Sequence, residues 1–369
     1  MPLPIKLWCS NVRSAGFRER LLRHATVLSV IDRPREGDLV IARALSSEGA
    51  YRQMEDPSGR EVRLYQGDVV VGVLGTRKSG TNLVSIVPAG PLCAGDVVEL
   101  AAVGGLLGTV TFTPRYYGGR ALPMEVVGFF SLGGGVAANL REGQCVPPAP
   151  EGSAPDGAPV FVTGSSAEAG KTTFVCEAIQ AIRQDAPGLR VAAIKACGTG
   201  RLRDLLRYAD AGAHYVTDFV EAGWPSTYNL DPDTYRSVLE ELVDAAARRA
   251  DVVFVEMGGD LLEAGAPTAV EVAGRRAAPM VYVVNDALGA IAGLEILGRS
   301  GMTRVVVASM RQNQHALAQR LELPLVVDPE DRDQVRDALG GVLGLPLPAA
   351  ASAAGPSAVE PLPAARRSA

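Results

Sequence analysis

The segment Val160-Phe161-Val162-Thr163-Gly164-Ser165-Ser166-Ala167-Glu168-Ala169-Gly170-Lys171-Thr172-Thr173 constrains this chain more than any other. An apolar, β-branched run leads into small residues and then into a stretch of helical character, Thr172–Arg183. A strand that turns through such a loop into a helix aims successive main-chain N–H groups at one spot, where the helix terminus adds partial positive charge. Five residues separate Gly164 from Gly170, one more than in the commonest phosphate-loop spacing. Lys171 can reach the β and γ phosphates of a nucleotide, and the Thr172 hydroxyl can ligate Mg²⁺. Gly164, Ser165, Ser166, Ala167, Glu168, Ala169, Gly170, Lys171, Thr172 and Thr173 are therefore the expected phosphate-binding residues.

The surrounding texture supports the same fold. Apolar runs recur at Pro159–Thr163, Arg190–Lys195, Asp251–Glu256, Met280–Val284, Arg304–Ala308 and Pro324–Val327. Helix-like segments lie between them, among them Pro232–Arg248 and Ala287–Arg299. Near-continuous apolar strands alternating with helices indicate an α/β fold, a P-loop doubly wound parallel sheet covered on both faces.

Residues before this half read differently. Short apolar runs alternate with turn residues, and three of them open on the same pair: Gly37-Asp38, Gly67-Asp68 and Gly95-Asp96. Gly and Asp suit the turn that feeds a strand. Residues 1–145 are expected to form a mainly β N-terminal domain, a barrel or sandwich. The Pro/Ala/Gly/Ser-rich residues 146–158 read as a linker, 159–346 as the P-loop domain, and 347–369 as a disordered tail.

Net charge of −5 gives no global field for nucleic acid or anionic lipid. No apolar stretch reaches the roughly 18 residues that a membrane span needs. The N-terminus lacks the apolar core of a secretion signal, and the five cysteines form no C-x-x-C pair, so a reducing cytoplasm is expected. Three scattered histidines give no metal-ligand spacing.

With its long spacing and internal Glu168, the loop from Gly164 to Thr172 resembles that of dethiobiotin synthetase and its relatives. The resemblance runs through short landmarks over roughly residues 158–330. In Val191-Ala-Ala-Ile-Lys195-Ala-Cys-Gly-Thr199-Gly200 it implies that Lys195 contacts the substrate, with Thr199 beside it. It implies Asp204 as a Mg²⁺ ligand, with Asp210 as rival, and Glu256 of Val255-Glu256-Met257-Gly258-Gly259 as another. Gly258 and Gly259 allow close approach of substrate. The strand-to-helix turn Val283–Ile291 is a further match, and Asn313 is the candidate purine reader. A guanine-reading Asn-Lys-x-Asp string is missing, which points to ATP. Ser166 stands where dimerising partition-type ATPases carry an extra lysine. The chain also shares a weaker likeness with a little-described family pairing an N-terminal domain with a similar P-loop half. The synthetase has no such N-terminal domain, so its substrate does not transfer.

The expected activity is that of an ATP- and Mg²⁺-dependent ligase or kinase acting on a small carboxylate, carbamate or amino-acid-like molecule. Lys171 and Lys195 would be catalytic, while Thr172, Asp204 and Glu256 hold the metal. Alternatives are a nucleotide-switch NTPase acting on a protein partner and an acyltransferase with an accessory P-loop domain. Expected partners are the small-molecule substrate and further copies of the chain, as a homodimer or larger homo-oligomer, with neither nucleic acid nor membrane. Segment Arg77–Asn82 reads as a solvated hairpin tip, with a cleft wall as the other possibility. Trp224–Tyr228 is placed either to lid the acceptor site or to pack its own aromatics.

Overall fold

The computed structural model describes residues 5–146, 157–310, 314–323, 326–341 and 344–345. The N-terminal half is a barrel. Among the described residues, five strands close a ring: Val69–Leu74, Leu39–Ala44, Leu122–Ser131, Val97–Ala102 and Leu106–Phe112, the last pairing back with the first. Ile5–Trp8 joins the outside of Val69–Leu74, and helix α1 (Ala15–His24) lays Phe17 and Leu21 on the core. All three Gly-Asp pairs start ring strands, and by one device. Each glycine takes a left-handed φ, +85° to +96° at Gly37, Gly67 and Gly95. Each aspartate accepts the main-chain N–H three residues back, at 2.7–2.8 Å from Arg35, Tyr65 and Cys93.

The C-terminal half is a doubly wound α/β sheet. Its strands are β1 (Ala158–Gly164), β2 (Val191–Lys195), β3 (Tyr215–Asp218), β4 (Val252–Glu256), β5 (Met280–Val283) and β6 (Val305–Ala308). Among the described residues all are parallel, in the order 3-2-4-1-5-6. Strand alternation splits the core in two. Phe161, Ile194 and Val255 pack under helices α4 (Pro232–Ala247), α5 (Ala266–Arg275) and α6 (Ala287–Arg299). Val160, Val162 and Phe254 face α2 (Lys171–Asp185), α3 (Leu202–Ala211) and α8 (Arg332–Gly341). A short α7 (Gln314–Arg320) follows β6.

The expected strand at Pro324–Val327 is present only as the bridge Ala308↔Val327, with 324–325 outside the described residues. Strand β3 was not anticipated, because Tyr215-Val216-Thr217-Asp218 is too short and polar to stand out. Residues 147–156, most of the expected linker, and the expected tail 347–369 lie outside the described residues. No helix among the described residues is long and apolar enough to cross a membrane.

The halves meet over polar contacts. Arg13 grips Asp218 through two hydrogen bonds of 3.1 and 3.0 Å, and Ser226 Oγ donates to the Thr76 carbonyl at 2.6 Å. Backbone meets backbone where a Cβ on Gly104 would stand 1.9 Å from the Gly200 carbonyl, so this seam admits only glycine.

Candidate functional site

The phosphate-type loop leaves the centre of the sheet, where β1 lies between β4 and β5. Gly164 is enclosed, and a Cβ there would stand 2.9 Å from the Val283 carbonyl. Gly170 opens α2 from a left-handed φ of +106° and offers no side-chain cap, so the first N–H groups of the helix stay free for a ligand. Beyond β5, Asn285 braces the loop: its main-chain N–H donates to Ser165 Oγ at 3.0 Å and its Nδ2 to Ser166 Oγ at 2.7 Å.

Lys171 is buried, and its Nζ donates to the carbonyls of Ser166 at 2.5 Å and Gly259 at 2.7 Å. Burial, the largest influence, draws its pKa down to about 8 against the pull of the Glu256 charge. A cation held only by neutral carbonyls keeps its charge available for an anion.

Next to it, Glu256 at the end of β4 gathers three donors. Thr172 Oγ1 reaches its Oε1 at 2.9 Å, Lys195 Nζ the same oxygen at 2.5 Å, and the Tyr208 hydroxyl its Oε2 at 2.5 Å. Lys195 also meets Asp204 at 2.8 Å, so one ammonium bridges two carboxylates. Burial, the largest influence, lowers the Lys195 pKa, but the two carboxylates together outweigh it and raise it. Burial likewise pushes the Asp204 carboxyl up, and Lys195 more than offsets this, leaving it below its ordinary value. The Tyr208 phenol is held far above its usual range, by burial first and by Glu256 second. It therefore stays a donor and orients the Glu256 carboxylate.

Register explains the assembly. Lys195 and Val162 lie level with Glu256 on the strands either side of it, so three neighbouring strands deliver the lysine, the loop and the carboxylate to one edge. Asp204 and Tyr208 come from one face of α3, four residues apart.

Most of these groups, though neither Tyr208 nor Val162, line a cleft of about 540 Å³. It takes in Ala167, Glu168, Gly170, Thr173, Thr199, Gly258 and Gly259 of the sequence-derived set, with Lys171, Thr172, Lys195, Asp204 and Glu256. Ser165 and Ser166 turn instead toward Asn285. Asp210, the rival to Asp204, is exposed and away from the cleft lining. Asn313 lies outside the described residues.

Two expectations change. The Arg77–Asn82 segment does form a hairpin, Lys78 pairing with Val84, but Arg77, Ser79 and Asn82 wall the cleft instead of standing in solvent. Trp224–Tyr228 is no lid: Ser226 and Thr227 are buried, and Thr227 Oγ1 donates to the Ala264 carbonyl at 2.6 Å while accepting the Gly198 N–H at 2.9 Å. The segment is a fixed wall, pinned because it threads between the two halves. Tyr208 and Glu263 carried no role in the sequence reading, and Tyr228 and Asn285 entered it only as members of the Trp224–Tyr228 and Val283–Ile291 segments. Only Tyr208 had a signal, its four-residue spacing from Asp204.

The residues fit a magnesium nucleotide. Among the described residues no three His, Cys, Asp or Glu side chains converge to hold a metal unaided. A metal here would draw on the Thr172 hydroxyl, Glu256, Asp204 and the phosphates of a bound nucleotide, hard oxygen donors of the kind Mg²⁺ prefers.

No protein-family model matches the chain, and no curated protein does. Among solved structures it is similar to the 54 kDa signal recognition particle protein of Aeropyrum pernix K1, in complex with GDP, at 18% identity and TM-score 0.35, over 51% of this chain and 46% of that one. FtsY of Elizabethkingia anophelis, also with GDP, gives 14% and 0.34 over 49% and 63%. A ParA family ATPase of Chlorobium tepidum TLS gives 14% and 0.31 over 52% and 89%. The match thus takes in under half of the first of these proteins and under two thirds of the second. Likeness this distant carries no argument, and the fold rests on the strand order and loop described above.

Proposed function

We propose that this chain binds Mg·ATP on the Gly164–Thr173 loop and transfers the γ-phosphoryl group to a small carboxylate, carbamate or amino-acid-like acceptor, as a ligase or kinase. One observation carries the reading. The cleft does not end at the phosphate loop; its lining continues past Lys195 to Arg77, Ser79 and Asn82 of the barrel, room beside the loop in which a second small ligand would sit. Pockets at domain boundaries commonly take such ligands. A loop serving only as a switch for a protein partner has no need of that room.

Phosphoryl transfer asks the protein for position and charge more than covalent chemistry. Lys171 and the free N–H groups of α2 would hold the phosphates. Thr172 and Glu256, with Asp204, would hold Mg²⁺, which supplies neutralisation of developing charge. Lys195, fixed between Asp204 and Glu256, would orient the acceptor oxygen. An acyl or carbamoyl phosphate formed this way is open to attack by an amine, completing an amide or ring. The resemblance of the loop and its landmarks to dethiobiotin synthetase supports the class of chemistry, and the missing guanine-reading string supports ATP. Further copies of the chain are the expected assembly partners. The test is ADP release from Mg·ATP by purified protein across a panel of small carboxylates and amino acids. Release that depends on the acceptor is the expected result. Release raised by a protein partner with no small molecule would favour the switch instead.

A further inference from the structure

The barrel's contribution to the cleft includes a cation whose pairing is unfinished. Arg77 Nη1 donates to the Tyr51 hydroxyl at 2.9 Å and to the Ala101 carbonyl at 2.8 Å, both uncharged. Its Nε is enclosed and finds no acceptor. Among the described residues no carboxylate pairs with Arg77, and Nη2 makes no hydrogen bond. With Nη1 engaged twice and Nε enclosed, Nη2 is the donor left to meet a ligand, and a guanidinium N–H on a cleft wall favours a carboxylate acceptor.

The opposite charge stands beside it. Glu263 lines the same cleft, its Oε1 accepting the Gly80 N–H at 2.7 Å and its Oε2 the Tyr228 hydroxyl at 3.1 Å. Each oxygen has a further lone pair, and among the described residues no lysine or arginine takes it. Tyr228 feels both groups: burial and then Glu263 push its phenol up, while Arg77 pulls it down. A cation and an anion, both incompletely paired and flanking one tyrosine, match a zwitterion.

We infer that the acceptor is an acidic α-amino acid, its α-carboxylate on Arg77, its α-ammonium on Glu263 and its side-chain carboxylate toward Lys195. The inference rests on the phosphotransfer reading. The Pγ–O bond to the β phosphate breaks, a bond forms from Pγ to the side-chain carboxylate oxygen, and ADP leaves. No oxidant or further reactant is involved. Holding the α-groups on Arg77 and Glu263 leaves only the side-chain carboxylate to react.

Calorimetry and ADP release with full-length protein test this, using both enantiomers of aspartate, glutamate and 2-aminoadipate as probes. Matched analogues remove one group at a time: 4-aminobutyrate lacks the α-carboxylate of glutamate, and glutarate lacks its amine. One of the acidic amino acids is expected to bind, and each deletion to weaken binding about 10- to 100-fold. In Arg77→Lys the preference over the decarboxylated analogue should shrink toward unity, and in Glu263→Gln the preference over the deaminated one. The analogues need no variant, so misfolding cannot mask the answer. Binding indifferent to both α-groups, or no binding by any of the probes, overturns the inference. Selective binding without ADP release keeps this site and overturns the phosphotransfer reading. ADP release driven by acceptors lacking the α-groups does the reverse.

Discussion

The Glu55 carboxylate of the barrel accepts the main-chain N–H of Leu202 at 2.7 Å and so caps α3 from another domain. The helix's own N-cap, Arg201, offers no side-chain bond, and its guanidinium leans on Glu55 and Glu61 instead. Asp204 and Tyr208, which hold Lys195 and Glu256, are carried on that helix. The barrel thus sets the position of groups it does not contain. In Glu55→Ala the Leu202 N–H and Arg201 lose a buried partner, at a cost of about 2–4 kcal/mol. Chemical denaturation should show this loss, and hydrogen exchange should quicken in the first turn of α3. Unchanged exchange there would mean the cap does not govern the helix.

Lys171→Met keeps the volume of a buried side chain but removes its charge. Since Nζ bonds only main-chain carbonyls among the described residues, the fold should persist, with the melting temperature close to that of the unaltered chain. Affinity for Mg·ATP should fall by about 100-fold or more, as expected when a charge-assisted contact to phosphate is lost. Titration calorimetry measures it. Undiminished affinity would place the nucleotide elsewhere.

Lys195 is the counter-ion of two carboxylates at once. Lys195→Met leaves Asp204 and Glu256 facing each other uncompensated, which should destabilise the chain by about 3 kcal/mol. A divalent cation can replace the missing charge, so millimolar Mg²⁺ should restore part of the lost melting temperature in the variant and do little for the unaltered chain. Thermal unfolding with and without MgCl₂ separates the two. No recovery with the metal would argue that these carboxylates do not share a Mg²⁺ site.

What the sequence disclosed follows from where physics acts locally. Strand β1, the loop and α2 were legible because each relies on its own residues: β-branched apolar side chains, small loop residues, and a lysine at the helix start. Gly37, Gly67 and Gly95 announced strands because a turn needing positive φ selects glycine regardless of what lies across the sheet. Glu256 was legible because an apolar strand ending in a charge delivers it to the sheet edge, whereas Lys195 was singled out by the resemblance of Val191–Gly200 to the synthetase family. Glu263 was not legible, and Arg77 only as the lesser of two readings, since their roles depend on the barrel folding back onto the sheet, and residues so far apart leave no periodic trace. Helix α1 went unread for a related reason: Ala15–His24 buries only Phe17 and Leu21, too narrow a stripe to signal a helix within a β region.

Glu221 gives the interface a pH dependence that can be read on its own. It accepts the Thr217 hydroxyl at 2.7 Å beside Asp218, which Arg13 holds. Burial first, and the Asp218 charge second, push its pKa from 4.5 up to about 7, while Thr217, Arg13 and Arg249 oppose the rise. The folded state therefore keeps a proton that the unfolded chain releases above pH 4.5. Stability from this group is full at low pH and is lost as pH rises toward 7, by at most about 3 kcal/mol. Glu221→Gln retains an acceptor for Thr217 and never ionises. It should match the unaltered chain near pH 5 and exceed it in stability near pH 8, in denaturant titrations at the two values. Parallel profiles for the two proteins would show that Glu221 already ionises in the folded state as it does in water, and that Arg13 neutralises both carboxylates.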